Sequence, residues 1–439
     1  MKKPRRDTKQ PVELDGRTLE GGGQLIRNAL CLSALTGIPV QIDYIRGNRS
    51  SGGGLKAQHL ACINWLVHAC SARVLGAAKG SKTLLFEPGK ANDKSSYICH
   101  SPAFKKVVHD GRPVYECKLD IGTAGSTGLA LQAILPFILF SERGSDIPVR
   151  LTLSGGTNVS GSPSYDYITQ VLLPTLRSIG LPDIKHKLTK RGWSQGGSNI
   201  GSFTLEIPPR ESLHLPAFNL TSKRLDAKPS TPCHLRALFI GPASSHQHFR
   251  TVLIPAIHHN FNDSFSEDDG NLKLICEDSG NDKRLYFILV ATMPIRSEAD
   301  GANDSSRSYT LGRDWLYDRK IRSLERTATE MAERVTYDLA TEAESGGYVD
   351  CHMRDQLIIF QALAQNGSTV YAGVDADDEL LEPSLHARTA EWVAKKMLGV
   401  RFDAEGRCEG IEFGTEENPP TDTDATQELE EQMQSLEVK

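Results

Sequence analysis

LEGGGQLIRNALCLSALTG, residues 19–37, is the stretch that decides the fold. Its apolar residues recur at helical spacing from Leu25 to Leu35, and Gly37 is placed to end a helix there. Residues 38–45 follow as a largely apolar segment typical of a strand. A glycine-rich turn, a helix and a strand in succession predict a unit in which a helix packs on a sheet.

The same succession recurs further along the chain. We predict helices at 57–70, 129–140 and 165–179, and strands at 82–86 and 149–153, with glycine-rich turns ending these blocks. Alternating helices and strands indicate repeated sheet-and-helix modules packed together. The predicted fold class is therefore α/β (α+β).

The middle of the chain differs in character. Polar loops such as SEDDGNLKL and SEADGANDSSRS surround two apolar segments at 234–240 and 285–292, which predicts a smaller inserted α/β domain. Helical spacing resumes over 321–339, and residues 400–413 predict a hairpin. The predicted divisions are a basic tail over 1–11, a large domain over 12–212 and 316–414, an insert over 213–315 and an acidic disordered tail over 415–439.

Composition argues against several classes of protein. The formal net charge of −5 does not favour a general duplex-DNA binder. The nine cysteines form no CxxC pair, which argues for reduced thiols rather than a disulfide framework or a zinc site. No apolar run approaches the roughly 18 residues of a membrane span, so we expect no membrane partner.

The opening stretch is also a candidate site. Glycines let another group approach the main chain, and the free N–H groups at the start of a helix attract anions such as phosphate. Glu20 would face such a phosphate only if a divalent cation lay between the two negative groups. The alternative is that Glu20 caps the helix dipole and the glycines merely turn the chain.

A second candidate anion site lies in IRGNRSSGGGLKAQH, residues 45–59. Arg46, Arg49 and Lys56 surround a Ser/Gly loop that leads into a helix, and guanidinium groups suit phosphate oxygens. A solvated loop would carry the same residues. Two such loops within one module favour a phosphate-rich substrate.

His386, in LEPSLHARTAEWVAKKMLG, is the candidate nucleophile. It precedes an amphipathic helix, whose free N–H groups would favour a neutral imidazole and hold a nearby phosphate. A neutral imidazole nitrogen can act as a nucleophile. A purely structural histidine would occupy the same position.

A set of motifs, taken in order, resembles the RNA 3′-terminal phosphate cyclase family, in its catalytic, eukaryotic-like branch. The motifs are LEGGGQLIRNALCLSALTG, IRGNRSSGGGLKAQHL, IGTAGSTGLALQAILP, SGGTNVSGSPSYDY, RGWSQGG, DQLIIFQALA and SLHARTA. The resemblance runs from about residue 14 to about residue 413. It implies a large domain of three repeated βαβ-type modules with a small inserted domain.

The resemblance also implies a reaction. A histidine attacks ATP at the α-phosphorus, AMP then passes to an RNA 3′-phosphate, and the 2′-hydroxyl displaces AMP to leave a 2′,3′-cyclic phosphate. The neighbouring hydroxyl is already held at high effective molarity, whereas the phosphate monoester needs adenylylation to gain a leaving group. The implied substrates are ATP and RNA with a 3′-phosphate, with Mg²⁺ or Mn²⁺ as the metal.

The resemblance assigns roles to individual residues. His386 matches the histidine that accepts the nucleotide, and Glu20 matches the carboxylate that holds the metal. The positions that match ATP contacts are Gln132, Pro163, Asp355 and Gln356, and those that match the phosphate site are Arg27, Arg46, Arg49 and Gln58.

Three departures from the family's pattern are visible. His352 stands where members usually have a tyrosine near the adenine, in a Tyr-x-x-Asp-Gln arrangement. The loop from Arg49 to Gln58 is one residue longer than usual, and Arg388 adds a cation after the nucleophile. These departures bear on substrate preference rather than on the reaction type.

One alternative is a non-catalytic cyclase-like scaffold in ribosome biogenesis, which would lack the nucleophilic histidine. An enolpyruvyl transferase is a further alternative, but it would need about six modules. The basic start, MKKPRRDTKQ, together with the resemblance, predicts a location in the nucleus (nucleoplasm), with the cytoplasm as the alternative.

Overall fold

The computed structural model describes residues 10–50, 52–89, 98–143, 145–210, 214–221, 231–295 and 308–414. The strands are β1 (Val12–Asp15), β2 (Val40–Asp43), β3 (Arg73–Leu75), β4 (Leu84–Glu87), β5 (Lys105–His109), β6 (Arg112–Asp120), β7 (Val149–Gly155), β8 (Lys185–Lys190), β9 (Gly201–Ile207), β10 (Asn219–Leu220), β11 (His234–Gly241), β12 (Leu272–Asp278), β13 (Tyr286–Pro294), β14 (Ser308–Leu316), β15 (Ser368–Val370) and β16 (Arg407–Cys408). The α-helices are α1 (Gly23–Thr36), α2 (Ala57–Ala69), α3 (Thr127–Phe140), α4 (Tyr165–Tyr167), α5 (Leu173–Ser178), α6 (His246–Asn260), α7 (Leu324–Glu344), α8 (Met353–Leu363) and α9 (Leu385–Leu398). A π-helical segment, Ile168–Leu172, joins α4 to α5.

Three sheets share the larger hydrophobic core. The first sheet has the strand order β1-β2-β4-β3, the second β5-β6-β7-β9-β8, and the third β10-β15-β16. Each sheet contains a parallel pair, namely β1 with β2, β6 with β7, and β10 with β15. In the first and second sheets, helices α1 and α3 connect the two parallel strands, as in a βαβ crossover.

Helix α1 lies at the centre of this body. Every residue from Gln24 to Leu35 is buried, because the helix packs against α2, α3 and α9. A helix that is buried all round is normally apolar all round. The polar side chains Gln24, Arg27 and Asn28 therefore need a local explanation. The candidate site described below provides one for Gln24 and Arg27.

The insert has a core of its own. Its sheet has the order β12-β11-β13-β14, and α6 and α7 pack together and on this sheet. Apolar residues of α7 such as Ala328, Met331 and Leu339 belong to this second core. The helix beginning at Leu324, which the sequence assigned to the last part of the large domain, thus packs on the insert.

The predicted mixed α/β fold is confirmed. The repetition of one module stays a prediction, since the three sheets of the body differ in strand number. The domain boundaries also stay predictions. Residues 1–9 and 415–439, which hold most of the two predicted tails, lie outside the described residues.

The predicted hairpin over 400–413 is only partly formed. Phe402 and Cys408 make a single antiparallel bridge, while Arg407 pairs with Thr369 of β15. The segment instead adds an edge strand to the third sheet. Pairing with β15, which is anchored in the core, is more stable than an isolated two-stranded hairpin. Among the described helices, none is long and apolar enough to cross a lipid bilayer.

Candidate active site

A cavity of about 750 Å³ lies where both cores meet. Its walls come from the amino end of α1, the chain after β7, the end of β14 and the amino ends of α8 and α9. Helix amino ends present free N–H groups and the positive end of the helix dipole. Several such ends around one cavity favour an anionic ligand.

Glu20 is the most highly connected carboxylate of the cavity. Its Oε1 pairs with the Arg49 guanidinium, and its Oε2 accepts a hydrogen bond from the Gln24 main-chain N–H at 3.4 Å. The Glu20 N–H in turn donates to Thr389 Oγ1 at 3.2 Å, which fixes the position of Glu20 relative to α9. The Glu20 carboxylate thus caps α1, as the capping alternative predicted, and it also lines the cavity. Its facing a phosphate through a divalent cation stays a prediction.

The glycines of the opening stretch make room for side chains of the site. A Cβ on Gly22 would lie 2.7 Å from Arg49 Nη2 and closer still to the Glu20 carboxylate. A Cβ on Gly23 would lie 2.7 Å from Arg27 Nη1 and 3.0 Å from His59 Nε2. The bare backbone thus lets three cationic or polar side chains converge beside Glu20.

His386 lies in the first turn of α9, at the rim of the cavity. Ser384 caps that helix by accepting the Ala387 N–H at 3.1 Å, and His386 Nδ1 stands 3.7 Å from Glu20 Oε2. The imidazole is about half exposed, at 53%.

The pKa values of this pair move in opposite directions. The Glu20 carboxylate, 3.7 Å from Nδ1, raises the pKa of His386, which burial opposes. Burial would raise the pKa of Glu20, but the nearby His386, followed by the charges of Arg49 and Arg27, lowers it to about 2. The sequence led us to expect that the helix end would favour a neutral imidazole. The structure shows the opposite direction, because the adjacent carboxylate stabilises the imidazolium.

A closed ring of hydrogen bonds forms part of the cavity wall. Arg27 donates to Gln132 Oε1 at 2.7 Å and to Gln24 Oε1 at 2.5 Å. Gln24 and Gln132 each donate to Asp355 Oδ2, at 3.0 and 3.3 Å. All four side chains are buried, so the ring satisfies groups that would otherwise be costly to bury. Burial raises the pKa of Asp355 and lowers that of Arg27.

One end of the cavity is cationic. Arg46, Arg49 and Lys56 line it, as the loop sequence predicted, together with Gln58 and His59. Gln58 Oε1 accepts the Ser126 N–H at 3.2 Å and so ties this end to the start of α3. The arrangement suits the oxygens of one or more phosphate groups.

The other end combines residues of the body and of the insert. Pro163, His352 and Gln356 line it from the body. The insert contributes Tyr286, whose hydroxyl donates to Asp314 Oδ2 at 2.9 Å and lies 2.6 Å from Ser164 Oγ. The edge of the His352 ring meets Tyr167, with 6.3 Å between ring centroids. A less cationic wall with aromatic groups suits a nucleobase.

The residues present fit a divalent ion that is bound mainly by the phosphate oxygens of a substrate and by only one protein carboxylate. Within the described part of the chain, no group of three or more His, Cys, Asp or Glu side chains is placed to hold a metal ion. Mg²⁺ is commonly bound by one or two carboxylates, with phosphate oxygens and water completing the shell. Glu20 can supply one such carboxylate if Arg49 turns to a phosphate, so metal binding by Glu20 stays a prediction.

The structure brings nearly all the candidate residues to one cavity. Its lining includes ten of the predicted residues, which are Glu20, Arg27, Arg46, Arg49, Gln58, Pro163, His352, Asp355, Gln356 and His386. Gln132 is the exception, because it lies behind Arg27 and Asp355 and holds both. Their roles as catalytic, ATP-binding, phosphate-binding and metal residues stay predictions.

Sequence reasoning missed part of the site. Gln24 lies three positions before Arg27 on α1 and His59 directly follows Gln58, so helix spacing and adjacency could have indicated both. No local signal marks Tyr286 or Asp314, because only the packing of the insert on the body brings them to the cavity.

Comparisons with known proteins point to one family. A family model described as RNA 3′-terminal phosphate cyclase matches residues 18–404. A protein of Methanosarcina acetivorans named RNA 3′-terminal phosphate cyclase is 31% identical over 406 residues, which cover 91% of this chain and 98% of that protein. A protein of the same name from Methanosarcina mazei is 30% identical over 396 residues, covering 89% of this chain and 96% of that one. The assignment to a eukaryotic-like branch stays a prediction.

Proposed function

Because the chain belongs to the RNA 3′-terminal phosphate cyclase family of enzymes, we propose that it converts an RNA 3′-terminal phosphate into a 2′,3′-cyclic phosphodiester at the expense of ATP. The observation that supports this most directly is the position of His386. It lies at a helix amino end, 3.7 Å from Glu20, on the cavity that also holds the Arg27, Arg46 and Arg49 guanidinium groups.

In the first step, His386 attacks the α-phosphorus of ATP. The attacking form is the neutral ring, in which a proton on Nδ1 would face Glu20 and the Nε2 lone pair would be free for the attack. The new N–P bond replaces the bond from the α-phosphorus to the bridging oxygen, and pyrophosphate leaves with that electron pair. Glu20 holds the Nδ1 proton and stabilises the positive charge that develops on the ring, as a carboxylate does for the histidine of a catalytic triad.

In the second step, an oxygen of the RNA 3′-phosphate attacks the phosphorus of the histidine adenylate. The N–P bond breaks and His386 is regenerated. In the third step, the 2′-oxygen attacks the activated 3′-phosphorus, AMP leaves and the 2′-hydroxyl proton is released. The cationic end of the cavity would bind the RNA phosphate and stabilise charge on its oxygens.

The remaining side chains would position the substrates. The buried ring of Gln24, Arg27, Gln132 and Asp355 holds the guanidinium and the carboxylate in fixed orientations. Gln132 would act indirectly, by positioning Arg27 and Asp355. Pro163, His352 and Gln356 would contact the nucleoside of ATP. A divalent ion on Glu20, when bound, would offset the negative charge of the triphosphate.

Incubation of the full chain with α-labelled ATP and Mg²⁺ or Mn²⁺ tests the proposal. We expect covalent label that is labile to acid and stable to alkali, and that is lost in His386→Ala. Absence of label from the intact protein would contradict the cyclase reaction and favour a non-catalytic scaffold. Glu20→Ala is expected to weaken labelling, and equal labelling of both proteins across a metal titration would refute a metal role for Glu20.

The location is also a proposal. We infer a nuclear (nucleoplasmic) protein from the basic start of the chain, with the cytoplasm as the alternative. Localisation of a fluorescently tagged full chain, compared with a chain in which Lys2, Lys3, Arg5 and Arg6 are replaced by alanine, tests this inference. Equal distributions of the two chains would contradict a role for the basic start.

A further inference from the structure

Three rows of side chains cross the outer face of the second sheet. In register from β6 to β8, the first row is Glu116, Arg150, Glu206 and Lys185, the second is Lys118, Thr152, Thr204 and Lys187, and the third is Asp120, Ser154, Ser202 and Lys190. All are exposed or partly exposed, whereas alternate residues such as Leu119, Leu151 and Phe203 are buried in the core. The face is therefore open and polar.

The rows differ in charge. The first row alternates carboxylates and cations, which compensate one another across the strands. The second row carries Lys118 and Lys187 without a carboxylate, and the third has Asp120 at one end and Lys190 at the other. Lys118 pairs with Glu116 at 3.3 Å, but Lys187 and Lys190 form no ion pair with any described residue.

The first sheet provides an internal comparison. Its outer face carries the carboxylates Glu13, Asp15, Asp43 and Glu87, and the cations beside them are Arg73 and Arg17, which pair with Glu87 and Asp15. The two sheets thus present faces of opposite sign in a chain whose formal net charge is −5. A basic face is not a general property of the exposed sheets of this protein, which points to a specific anionic partner.

Hydroxyl groups occupy the space between the lysines. The Thr152 and Thr204 hydroxyls lie 3.3 Å apart at the centre of the second row, and Ser154 and Ser202 follow in the third. Three interstrand spacings separate Lys118 from Lys187, a distance of about 14 Å. The result is a strip of hydroxyl donors and acceptors bordered by cations.

This strip leads towards the cavity. β6, β7 and β8 all end at the same edge, next to the third row. The chain after β7 continues into Val159 and Pro163, which line the cavity. The chain after β8 reaches Gly192, whose carbonyl accepts the N–H groups of Thr157 and Asn158. The strip and the cavity are thus continuous through one set of loops.

We propose that the outer face of the second sheet binds the sugar-phosphate backbone of single-stranded RNA upstream of the 3′ end that enters the cavity. This inference rests on the proposed function. Lys118, Lys187 and Lys190 neutralise backbone phosphates, and the threonine and serine hydroxyls hydrogen-bond phosphate oxygens and 2′-hydroxyls. The three rows hold no aromatic side chain for base stacking, so the contact is independent of sequence.

The test compares a long substrate with a short one. The protein is given a single-stranded RNA of about 20 nucleotides or a ribodinucleotide, each with a 3′-phosphate. In the double variant Lys187→Glu with Lys190→Glu, we expect the KM for the long RNA to rise about tenfold, with little change for the dinucleotide. The slope of log affinity against log salt for the long RNA should fall by about 1.4, since each single-strand phosphate contact contributes about 0.7. Lys273→Glu, at an exposed position of the edge strand β12, is the matched control and should behave as wild type.

Direct binding of the long RNA separates this inference from the proposed function, because binding needs no catalysis. A wild-type protein that binds the long RNA but incorporates no label from ATP would contradict the proposed function while supporting the RNA-binding face. Equal KM and salt slope for the double variant and wild type would overturn the inference, as would an equal loss in Lys273→Glu. Equal weakening of the long RNA and the dinucleotide would also overturn it. Circular dichroism of the double variant shows whether it is folded, and if it is not, Lys187→Gln with Lys190→Gln replaces it.

Discussion

At the scale of single residues, His59 has a defined protonation state at the cationic end of the cavity. Burial, followed by the charges of Arg27, Arg46 and Lys56, lowers its pKa to about 3. Its Nδ1 accepts the Lys56 main-chain N–H at 3.1 Å, so the proton of the neutral ring is on Nε2. The ring can therefore donate a hydrogen bond to a phosphate oxygen without adding charge.

The lowered pKa of His59 predicts a pH dependence of stability. The unfolded chain protonates this ring near its ordinary value of about 6.5, whereas the folded protein does not until about pH 3. The unfolded state thus binds more protons below about pH 6.5, and folding loses up to about 1.4 kcal/mol per pH unit as the pH falls. His59→Gln should lose this part of the slope in urea denaturation between about pH 6 and about pH 5. Equal slopes for both proteins would contradict the prediction, and His100→Gln, at an exposed imidazole, is the control.

A second prediction at the residue scale concerns the role of His352 in ATP binding. It lines the less cationic end of the cavity and meets Tyr167 edge to face. A tyrosine offers a larger ring for contact with a base, so His352→Tyr is expected to keep self-adenylylation and to lower the KM for ATP. The measurement is labelling rate against ATP concentration. Loss of label in a folded variant would mean that the imidazole has a specific role which a phenol cannot replace.

At the scale of elements, the amino end of α1 combines a tight turn with convergent side chains. Gly22 lies outside the left-handed region, with a φ of −124° and a ψ of −145°, and its lack of a side chain makes room for Glu20 and Arg49. Gly22→Ala would force Glu20 and Arg49 apart. We expect self-adenylylation to fall at least about tenfold, with a loss of stability of about 1–3 kcal/mol.

Gly399→Ala is the matched control for that prediction. Gly399 ends α9 in the left-handed region, with a φ of 74° and nothing within 4 Å of an added Cβ. The substitution should cost about 1–2 kcal/mol of backbone strain and leave the labelling rate unchanged. If Gly22→Ala and Gly399→Ala lowered the labelling rate equally, the special packing role of Gly22 would be refuted.

The elements that could be predicted from the sequence are those specified by local patterns. α1 is fixed by apolar spacing and by Gly37, whose φ of 72° suits the helix end. The segment around residues 400–413 could not be predicted, because Arg407 pairs with Thr369, a partner distant in sequence. Glu20 and His386 were found through motifs at opposite ends of the chain, but their separation of 3.7 Å depends on Thr389 holding the Glu20 N–H.

At the scale of the whole molecule, the contact between body and insert completes the cavity. Ser160 donates to Asp318 at 2.8 Å, and Ser164 meets Tyr286 at 2.6 Å. The Gly312 N–H donates to Asp350 at 3.0 Å. The sequence indicated an insert but not these contacts, since each joins residues more than thirty positions apart. Part of the candidate nucleotide site is therefore a property of the assembled molecule.

Arg191 is the strongest ionic link in this contact. Its guanidinium binds Asp166 of the body at 2.7 Å and Glu277 of the insert at 2.6 Å. The Asp166 side chain is only 6% exposed, so removal of the guanidinium would leave a buried, unpaired carboxylate. Hydrogen bonds to both carboxylates raise the pKa of Arg191 despite its burial, so the side chain remains charged.

We therefore expect Arg191→Ala to lower the free energy of unfolding by about 3 kcal/mol. Because Tyr286 and Asp314 reach the cavity from the insert, the KM for ATP in self-adenylylation should also rise, whereas labelling at saturating ATP should persist. Arg73→Ala is the control, since its pair with Glu87 is 3.5 Å long and exposed, and surface pairs contribute little to stability. A destabilised Arg191→Ala protein with an unchanged KM for ATP would show that this link supports folding but does not position the wall of the cavity.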